Sequence, residues 1–309
     1  MEKLHACPVC DCQDLESFIQ TGAQMHTAST QFNFDRCREC GLAFLNPRVA
    51  PEDLGLYYTG SYLPYRGAEA WGRYRGLVDS SQKQLDRRRV ALVERFRRLS
   101  RDSVVLDIGC GKPDFLKSCI RQSGCTGIGL DFSDRGWRLD PASTPGLKLI
   151  VGEPGELPAD LNADVITMWH YLEHDYQPRQ TLERLHRHAD PETVLVIEVP
   201  DFDCEGRRQF GPHWAGYHTP RHLSLFSPSN LRLLLEKTGW RPLEINPWGT
   251  LDPYVLHWMS RMEQRVFAWE RSMEPEFVRY VIGMLAFRLS RWPLGKRRLG
   301  IMTAVAVPA

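Results

Sequence analysis

The sequence predicts an α/β protein with a doubly wound, mostly parallel seven-stranded sheet. Three observations predict it. Short apolar runs recur at 104–108, 126–131, 147–151, 163–168, 193–199, 240–246 and 301–307. Helix-like stretches at 113–123, 177–189 and 228–238 alternate with them, the pattern of strands joined by crossover helices. The first run, Val104-Val105-Leu106-Asp107-Ile108, ends in a glycine turn, Gly109 and Gly111, that opens a helix. Open sheets bind their ligands at such a strand end.

In chain order, residues 1–46 come first. Cys7-Pro8-Val9-Cys10 and Cys37-Arg38-Glu39-Cys40 are two C-x2-C pairs. Each pair sets two thiolates on one tight knuckle, and two knuckles supply the four ligands of a closed, structural zinc site in a ribbon. Cys12 is a possible substitute, but only one residue separates it from Cys10, which makes a poorer chelate. Disulfides are the competing reading and an iron centre the minor one. Nothing resembling a signal peptide precedes the cysteines, so a reducing cytoplasm is expected.

Residues 47–100 read as a helical connector. It holds Pro47, Pro51 and Pro64, four tyrosines (Tyr57, Tyr58, Tyr62, Tyr65) and an arginine-bearing helix. That helix carries Arg87-Arg88-Arg89 and Arg97-Arg98 and has an apolar face of Leu85, Val93 and Phe96, with Leu92 and Leu99 as further candidates. A solvated helix face is the favoured reading over a nucleic-acid patch. The net charge of +1 also argues against a nucleic-acid partner. Residues 101–309 form the main domain, with a helical insertion at 247–297 before the last strand. The insertion carries Trp248, Tyr254, Trp258, Trp269, Tyr280, Phe287 and Trp292. Core packing is its first reading. A lid, a dimer surface, and an interfacial membrane contact flanked by Arg279, Arg288 and Arg291 are the others. No apolar stretch approaches the roughly twenty residues of a membrane span.

Two cofactors fit a strand–glycine turn–helix, and the loop selects between them. A dinucleotide loop would place a third glycine at position 114. This chain has Asp114 there, a negative charge where phosphates would sit. S-adenosylmethionine has no phosphate and carries an ammonium and a sulfonium, which suit Asp107. Asp131, at the end of the second strand, suits ribose hydroxyls. Phe132 is placed to stack on adenine.

Along most of its length the chain resembles the class I S-adenosylmethionine-dependent methyltransferases. Asp107, Gly109 and Gly111 match the first motif of that family, and Asp131 matches its ribose acid. Gly152-Glu153 matches its adenine loop, Tyr171-Leu172-Glu173-His174 its E-H signature, and Phe226-Ser227-Pro228 through Thr238-Gly239-Trp240 its late helix. The resemblance implies a Rossmann-like fold. It also implies cofactor contacts from Asp107, Gly109, Cys110, Gly111, Asp131, Phe132, Gly152, Glu153 and Trp169. Pro113 departs from the family's third glycine, and affinity is what that puts in question.

The run C-x-x-C-G-L-x-F-x-N-P-R from Cys37 to Arg48 resembles the zinc-ribbon methyltransferases of bacterial secondary metabolism, including deoxysugar C-methyltransferases. Their Y-x-E-H-x-x-Y-F-S segment corresponds to Thr219–Ser227, where His222 and Phe226-Ser227 match but Arg221 replaces the glutamate. The resemblance implies a small-molecule or carrier- or peptide-bound acceptor, and a monomer or homodimer. An RNA or protein methyltransferase that grips its substrate with the ribbon is one alternative. A binding protein without catalysis is another. Transfer needs alignment and a group that takes the acceptor's proton. His222 is the first candidate and His218 the second, with Tyr217 beside them and His170 and His174 after the fourth strand. Arg221 suits an acidic group on the acceptor. The acceptor pocket is expected where the cofactor loop, the connector tyrosines, the 210–222 loop and the insertion converge.

Overall fold

The computed structural model describes residues 1–26, 29–59, 62–138, 144–291 and 298–309. Trp292, Lys296 and Arg297 lie outside the described residues. The chain divides into two compact units, each built from segments far apart in sequence. Met1–Gln82, Pro200–Asn230 and Pro247–Met302 form the first, and Lys83–Val199, Leu231–Asn246 and Thr303–Ala309 form the second. The predicted ribbon, most of the connector and most of the insertion therefore share one unit. Among the described residues no helix is long and apolar enough to cross a membrane.

In the first unit, β1 (Leu15–Gly22), β2 (Gln31–Cys37) and β3 (Ala43–Leu45) make an antiparallel ribbon. A fourth strand, the two-residue β9 (Ser224–Leu225), pairs antiparallel with β3. Short helices α1 (Pro51–Leu54) and α2 (Leu63–Arg66) follow the ribbon, and α6 (Glu205–Phe210) lies later in the chain. The insertion forms α8 (Tyr254–Gln264) and α9 (Phe277–Arg291). Its aromatic residues build a core: Tyr254, Trp258, Trp269 and Phe287 are buried with Tyr62 and Trp71. Trp258 meets Trp269 edge-on at 6.0 Å and Tyr280 at 5.3 Å.

The second unit holds a seven-stranded sheet in the order β10-β11-β8-β7-β4-β5-β6. Its strands are β4 (Val104–Ile108), β5 (Thr126–Asp131), β6 (Leu147–Val151), β7 (Ala163–Trp169), β8 (Ala189–Pro200), β10 (Trp240–Asn246) and β11 (Ile301–Pro308). Pairs β5–β6, β4–β5, β4–β7 and β7–β8 run parallel, and β10–β11 runs antiparallel. The near-continuous apolar β4 follows from burial on both faces, the condition of a parallel sheet covered by helices. All seven predicted strands are present. β8 begins earlier than its apolar run because an exposed lead-in from Ala189 also pairs with the start of β7.

Helices α4 (Asp114–Ser123) and α5 (Pro178–His186), with the greater part of α3 (Arg75–Phe96) and of α7 (Pro228–Lys237), complete the unit. α4 turns Phe115, Leu116 and Cys119 into the core and begins after Pro113 at its N-cap. It stops at Gly124, whose φ of 74° closes the C-terminus. Arg87 and Arg88 of α3 are exposed, whereas Arg89 turns inward. Arg97 bonds to Asp164 and Glu192 at 2.6 Å each, so this part of the arginine cluster holds the fold together.

Candidate functional site

Parallel β4, β5 and β7 bring Asp107, Asp131 and Trp169 to one edge of the sheet. Between β4 and α4 the chain turns at Gly109 (φ 71°) and Gly111 (φ 48°). The amides of Gly109 and Cys110 both donate to the Leu130 carbonyl, at 2.8 and 3.1 Å, which pins the turn to the end of β5. A Cβ at Gly111 would meet nothing within 4 Å, so the backbone forms an open cradle there. On the other side of the loop the packing is tight. A Cβ at Gly136 would lie 2.2 Å from the Gly111 carbonyl oxygen, so only glycine lets the segment after β5 approach.

Asp131 accepts from the Gly111 amide at 2.9 Å and from the Ser133 amide at 3.1 Å. The Phe132 amide donates to it as well. A carboxylate has about four lone-pair positions, so about one remains for a ligand's hydroxyl. Phe132 and Val151, at the ends of adjacent β5 and β6, are 61% and 56% exposed and offer apolar surface to a flat ring. Gly152 donates its amide to the Asp131 carbonyl at 2.9 Å, and Glu153 is fixed through a reciprocal capping box with Glu156. Cys110 is buried, and burial pushes its thiol up, so it is a neutral packing group.

Asp107 is buried and accepts a 2.6 Å hydrogen bond from Thr167 on β7. Burial lifts its carboxyl to about 7, while the Thr167 hydroxyl and the Arg89 charge pull the other way. Arg89 lies over the Trp169 indole, 4.8 Å from its centroid, and 3.9 Å from the carboxylate of Asp86. The Arg89 Nε and the Trp169 Nε1 are buried and have no hydrogen-bond partner among the described residues. The Asp107 carboxyl thus feels the Arg89 charge, and two buried donors beside it are left without a hydrogen-bond partner.

His170, just past β7, has a φ of 57° and sits between two buried glutamates, 3.4 Å from Glu173 and 3.2 Å from Glu198. Thr303 on β11 donates to Glu198 at 3.3 Å. Burial disfavours the imidazolium, but the two carboxylates outweigh it and raise His170 to about 9. It is therefore cationic at neutral pH. Tyr171 packs directly over Gly109, and His174 closes a short turn through its amide to the Tyr171 carbonyl at 2.9 Å.

A family profile described as a methyltransferase domain matches residues 81–245, just over half of the chain. The chain belongs to the class I S-adenosylmethionine-dependent methyltransferases. No curated protein matches this methyltransferase in sequence. Among solved structures it is similar to phosphoethanolamine N-methyltransferase 2 of Haemonchus contortus bound to S-adenosyl-L-methionine: identity is 16%, coverage is 86% of this chain and 61% of that one, and the TM-score is 0.54. It is also similar to the [4+2]-cyclase SpnF, at 16% identity, covering 84% of this chain and 97% of that one, with a TM-score of 0.53. At that identity both likenesses speak for the fold alone.

The first unit of the methyltransferase holds the second histidine group. His218 and His222 are both buried, their rings 4.8 Å apart, and His218 lies 5.5 Å from Tyr62. His222 Nδ1 lies 2.8 Å from the Gly216 carbonyl, which can only accept, so Nδ1 carries the proton and Nε2 is the basic nitrogen. Tyr217 is fully buried, with Phe34 5.3 Å and Trp214 5.2 Å away, and its phenol is pushed up to about 12 by burial. The expectation that Arg221 pairs with an acceptor's acidic group is corrected. Its guanidinium donates to the carbonyls of Tyr57, at 2.6 Å, and of Gln24, and stacks 4.8 Å over Tyr62.

The four ribbon cysteines of the methyltransferase converge. Their sulfurs all lie within 4.8 Å of one another, with Cys7–Cys40 at 3.5 Å and Cys10–Cys37 at 3.4 Å. Cys12 lies outside the set and bonds locally to Asp14. The Cys7–Cys40 hydrogen bond lowers Cys40 to about 5 and raises Cys7, so the pair holds one proton, on Cys7.

Sequence reasoning misses Arg89, Thr167, Gly136 and Glu198. Arg89 stands inside an arginine run that reads as a solvated face, and Thr167 inside an apolar strand. Alternation along β7 is the one signal that could have found Thr167.

Proposed function

We propose that this enzyme transfers a methyl group from S-adenosylmethionine to a small-molecule or carrier- or peptide-bound acceptor. The observation that carries the reading is the crevice itself. An open backbone cradle at Gly111 stands beside Asp131, and near it are the Asp107 carboxyl and the Arg89 guanidinium. That donor set fits the cofactor. Asp131 holds a ribose hydroxyl, Phe132 and Val151 flank the adenine, Asp107 faces the ammonium and Arg89 the carboxylate. The bound cofactor supplies an electrophilic methyl on sulfur.

The chain's own residues align the reactants and take the proton that the acceptor gives up. His222 is assigned that proton, because the Gly216 carbonyl fixes its tautomer with Nε2 as the basic nitrogen. His170 is assigned a holding role, since a histidine already cationic accepts no proton. The ribbon is assigned one structural zinc on Cys7, Cys10, Cys37 and Cys40. Zn–S bonds of about 2.3 Å in a tetrahedron set the sulfurs about 3.8 Å apart, close to the 3.4 and 3.5 Å found. Thiolates that bind metal must stay reduced, and this reading carries with it a cytoplasmic setting.

The test is calorimetric titration with S-adenosylmethionine and S-adenosylhomocysteine, followed by methyl-labelled cofactor against panels of acceptors. Saturable binding of both nucleosides and label on one acceptor class support the reading. Binding of neither overturns it.

A further inference from the structure

One apolar surface is left over after the core and the crevice are accounted for. On α9, Phe277, Tyr280, Met284 and Phe287 pack into the aromatic core of the first unit. The opposite face carries Val278, Ile282, Leu285 and Leu289, which are 52%, 62%, 52% and 74% exposed. Their spacing of four, three and four residues places them in one row on a helix. At about 1.5 Å per residue the row is about 16 Å long. Four large apolar side chains in one exposed row are a contiguous patch, and such patches mark contact sites.

We propose that this row is the contact face of a symmetric homodimer, with α9 packing antiparallel against α9 of a second copy. The spacing is palindromic, which is the main argument. A two-fold axis midway between Ile282 and Leu285 sets Val278 of one copy against Leu289 of the other, and Ile282 against Leu285. Every apolar side chain meets an apolar partner, the self-complementarity that an isologous interface requires.

The rim is the second argument. Arg279 and Arg288 flank the row, but each is engaged within its own chain, Arg279 by Glu276 at 3.0 Å and Arg288 by Asp252. Among the described residues the border is therefore balanced in charge. An anionic membrane would instead favour cations with no acids beside them. The row supplies four residues where a standard interface has about 20–30 a side, so the dimer is weak and concentration-dependent.

Sedimentation across about 1–500 µM tests this with the full chain. The weight-average mass rises from 35.6 kDa towards twice that value in the wild type. It stays at the monomer value in Ile282→Glu/Leu285→Glu, with Ile282→Gln as a milder change at the same face. Unchanged circular dichroism and S-adenosylhomocysteine affinity show that the variants remain folded. For the register, Val278→Cys/Leu289→Cys is joined by a short bismaleimide and Val278→Cys alone is not, against the wild type's own cysteines as background. A wild type that stays monomeric throughout overturns the proposal, as do variants that dimerise as it does. Crosslinking of Val278→Cys alone overturns the antiparallel pairing. Wild type that floats with anionic vesicles while the double variant does not names a membrane as the occupant, and the proposal fails.

Discussion

Thr167 Oγ1 donates a 2.6 Å hydrogen bond to Asp107 Oδ1, tying the middle of β7 to the acid at the end of β4. This bond stabilises a carboxylate that burial disfavours, and burial wins: the group titrates near 7. From about pH 4 to 7 the folded protein then keeps a proton that the unfolded chain has released, so stability falls as pH rises through that window and stays low above it. A tenfold difference in proton affinity corresponds to about 1.4 kcal/mol, so the penalty above pH 7 is on the order of a few kcal/mol. Asp107→Asn is expected to melt higher than the wild type at pH 8, with the gain shrinking towards pH 5. Equal melting differences at the two pH values would sink the assignment.

The same acid predicts how binding responds to pH. An ammonium beside Asp107 favours its ionised form, so binding S-adenosylmethionine releases a proton when Asp107 starts protonated. Affinity should weaken as pH falls from 8 to 6, and calorimetric heats near pH 7 should depend on the ionisation enthalpy of the buffer. Flat affinity with no proton release would remove Asp107 from the ammonium role.

Asp131→Ala should weaken S-adenosylmethionine binding by about 1–3 kcal/mol, the usual cost of leaving polar partners unsatisfied. Arg89→Leu should do the same through the cofactor's carboxylate. The informative comparison is with 5′-methylthioadenosine, which has the nucleoside but no amino-acid tail. Asp131→Ala should weaken both ligands, and Arg89→Leu only the full one. Equal losses for both ligands in Arg89→Leu would place the arginine elsewhere.

The cysteine cluster should carry one zinc per chain. Cobalt substitution should show the intense sulfur-to-metal charge-transfer bands of a tetrathiolate site, and Cys37→Ser should lose metal and lower the melting temperature. Binding couples to thiolate formation, so uptake should release protons. Metal-free protein with disulfides among Cys7, Cys10, Cys37 and Cys40 is the contrary outcome.

What was legible in the sequence was local. The apolar runs of β4, β5 and β7, the glycine turn and the C-x2-C knuckles are written in consecutive residues, and the structure places them where the pattern puts them. What was not legible depends on packing at a distance. Helical spacing sets Arg89 one turn from both Leu85 and Val93 and so marks it as the inward arginine, but that it lies over Trp169 depends on how α3 packs. Glu198 and Thr303 come from β8 and β11, 28 and 133 residues beyond His170, so no spacing rule joins them to it. Ser224-Leu225 is too short to read as a strand until β3 lies beside it. Arg221 reads as a free cation, and the carbonyls that occupy it belong to Gln24 and Tyr57.

His222 and His170 should differ in what their mutation costs. His222→Ala is expected to lower kcat by about 10²–10⁴-fold, the usual worth of a positioned general base, with cofactor affinity near wild type and a melting temperature lowered in line with the about 1–3 kcal/mol that an unsatisfied Gly216 carbonyl costs. His170 should fail differently. Removing its charge leaves Glu173 and Glu198 buried without their shared cation, and breaking such a set by deleting one member costs about 3–5 kcal/mol. Its pKa lies above the unfolded value of 6.5, so the stability it contributes is full below about 6.5 and is lost as pH rises through about 9. The melting deficit of His170→Asn should thus be largest at pH 6 and narrow by pH 10. A His170→Asn protein that melts like the wild type at pH 6 but turns over slowly would reverse the two assignments. His170 would then be the proton acceptor, and His222 a histidine held in place by Gly216.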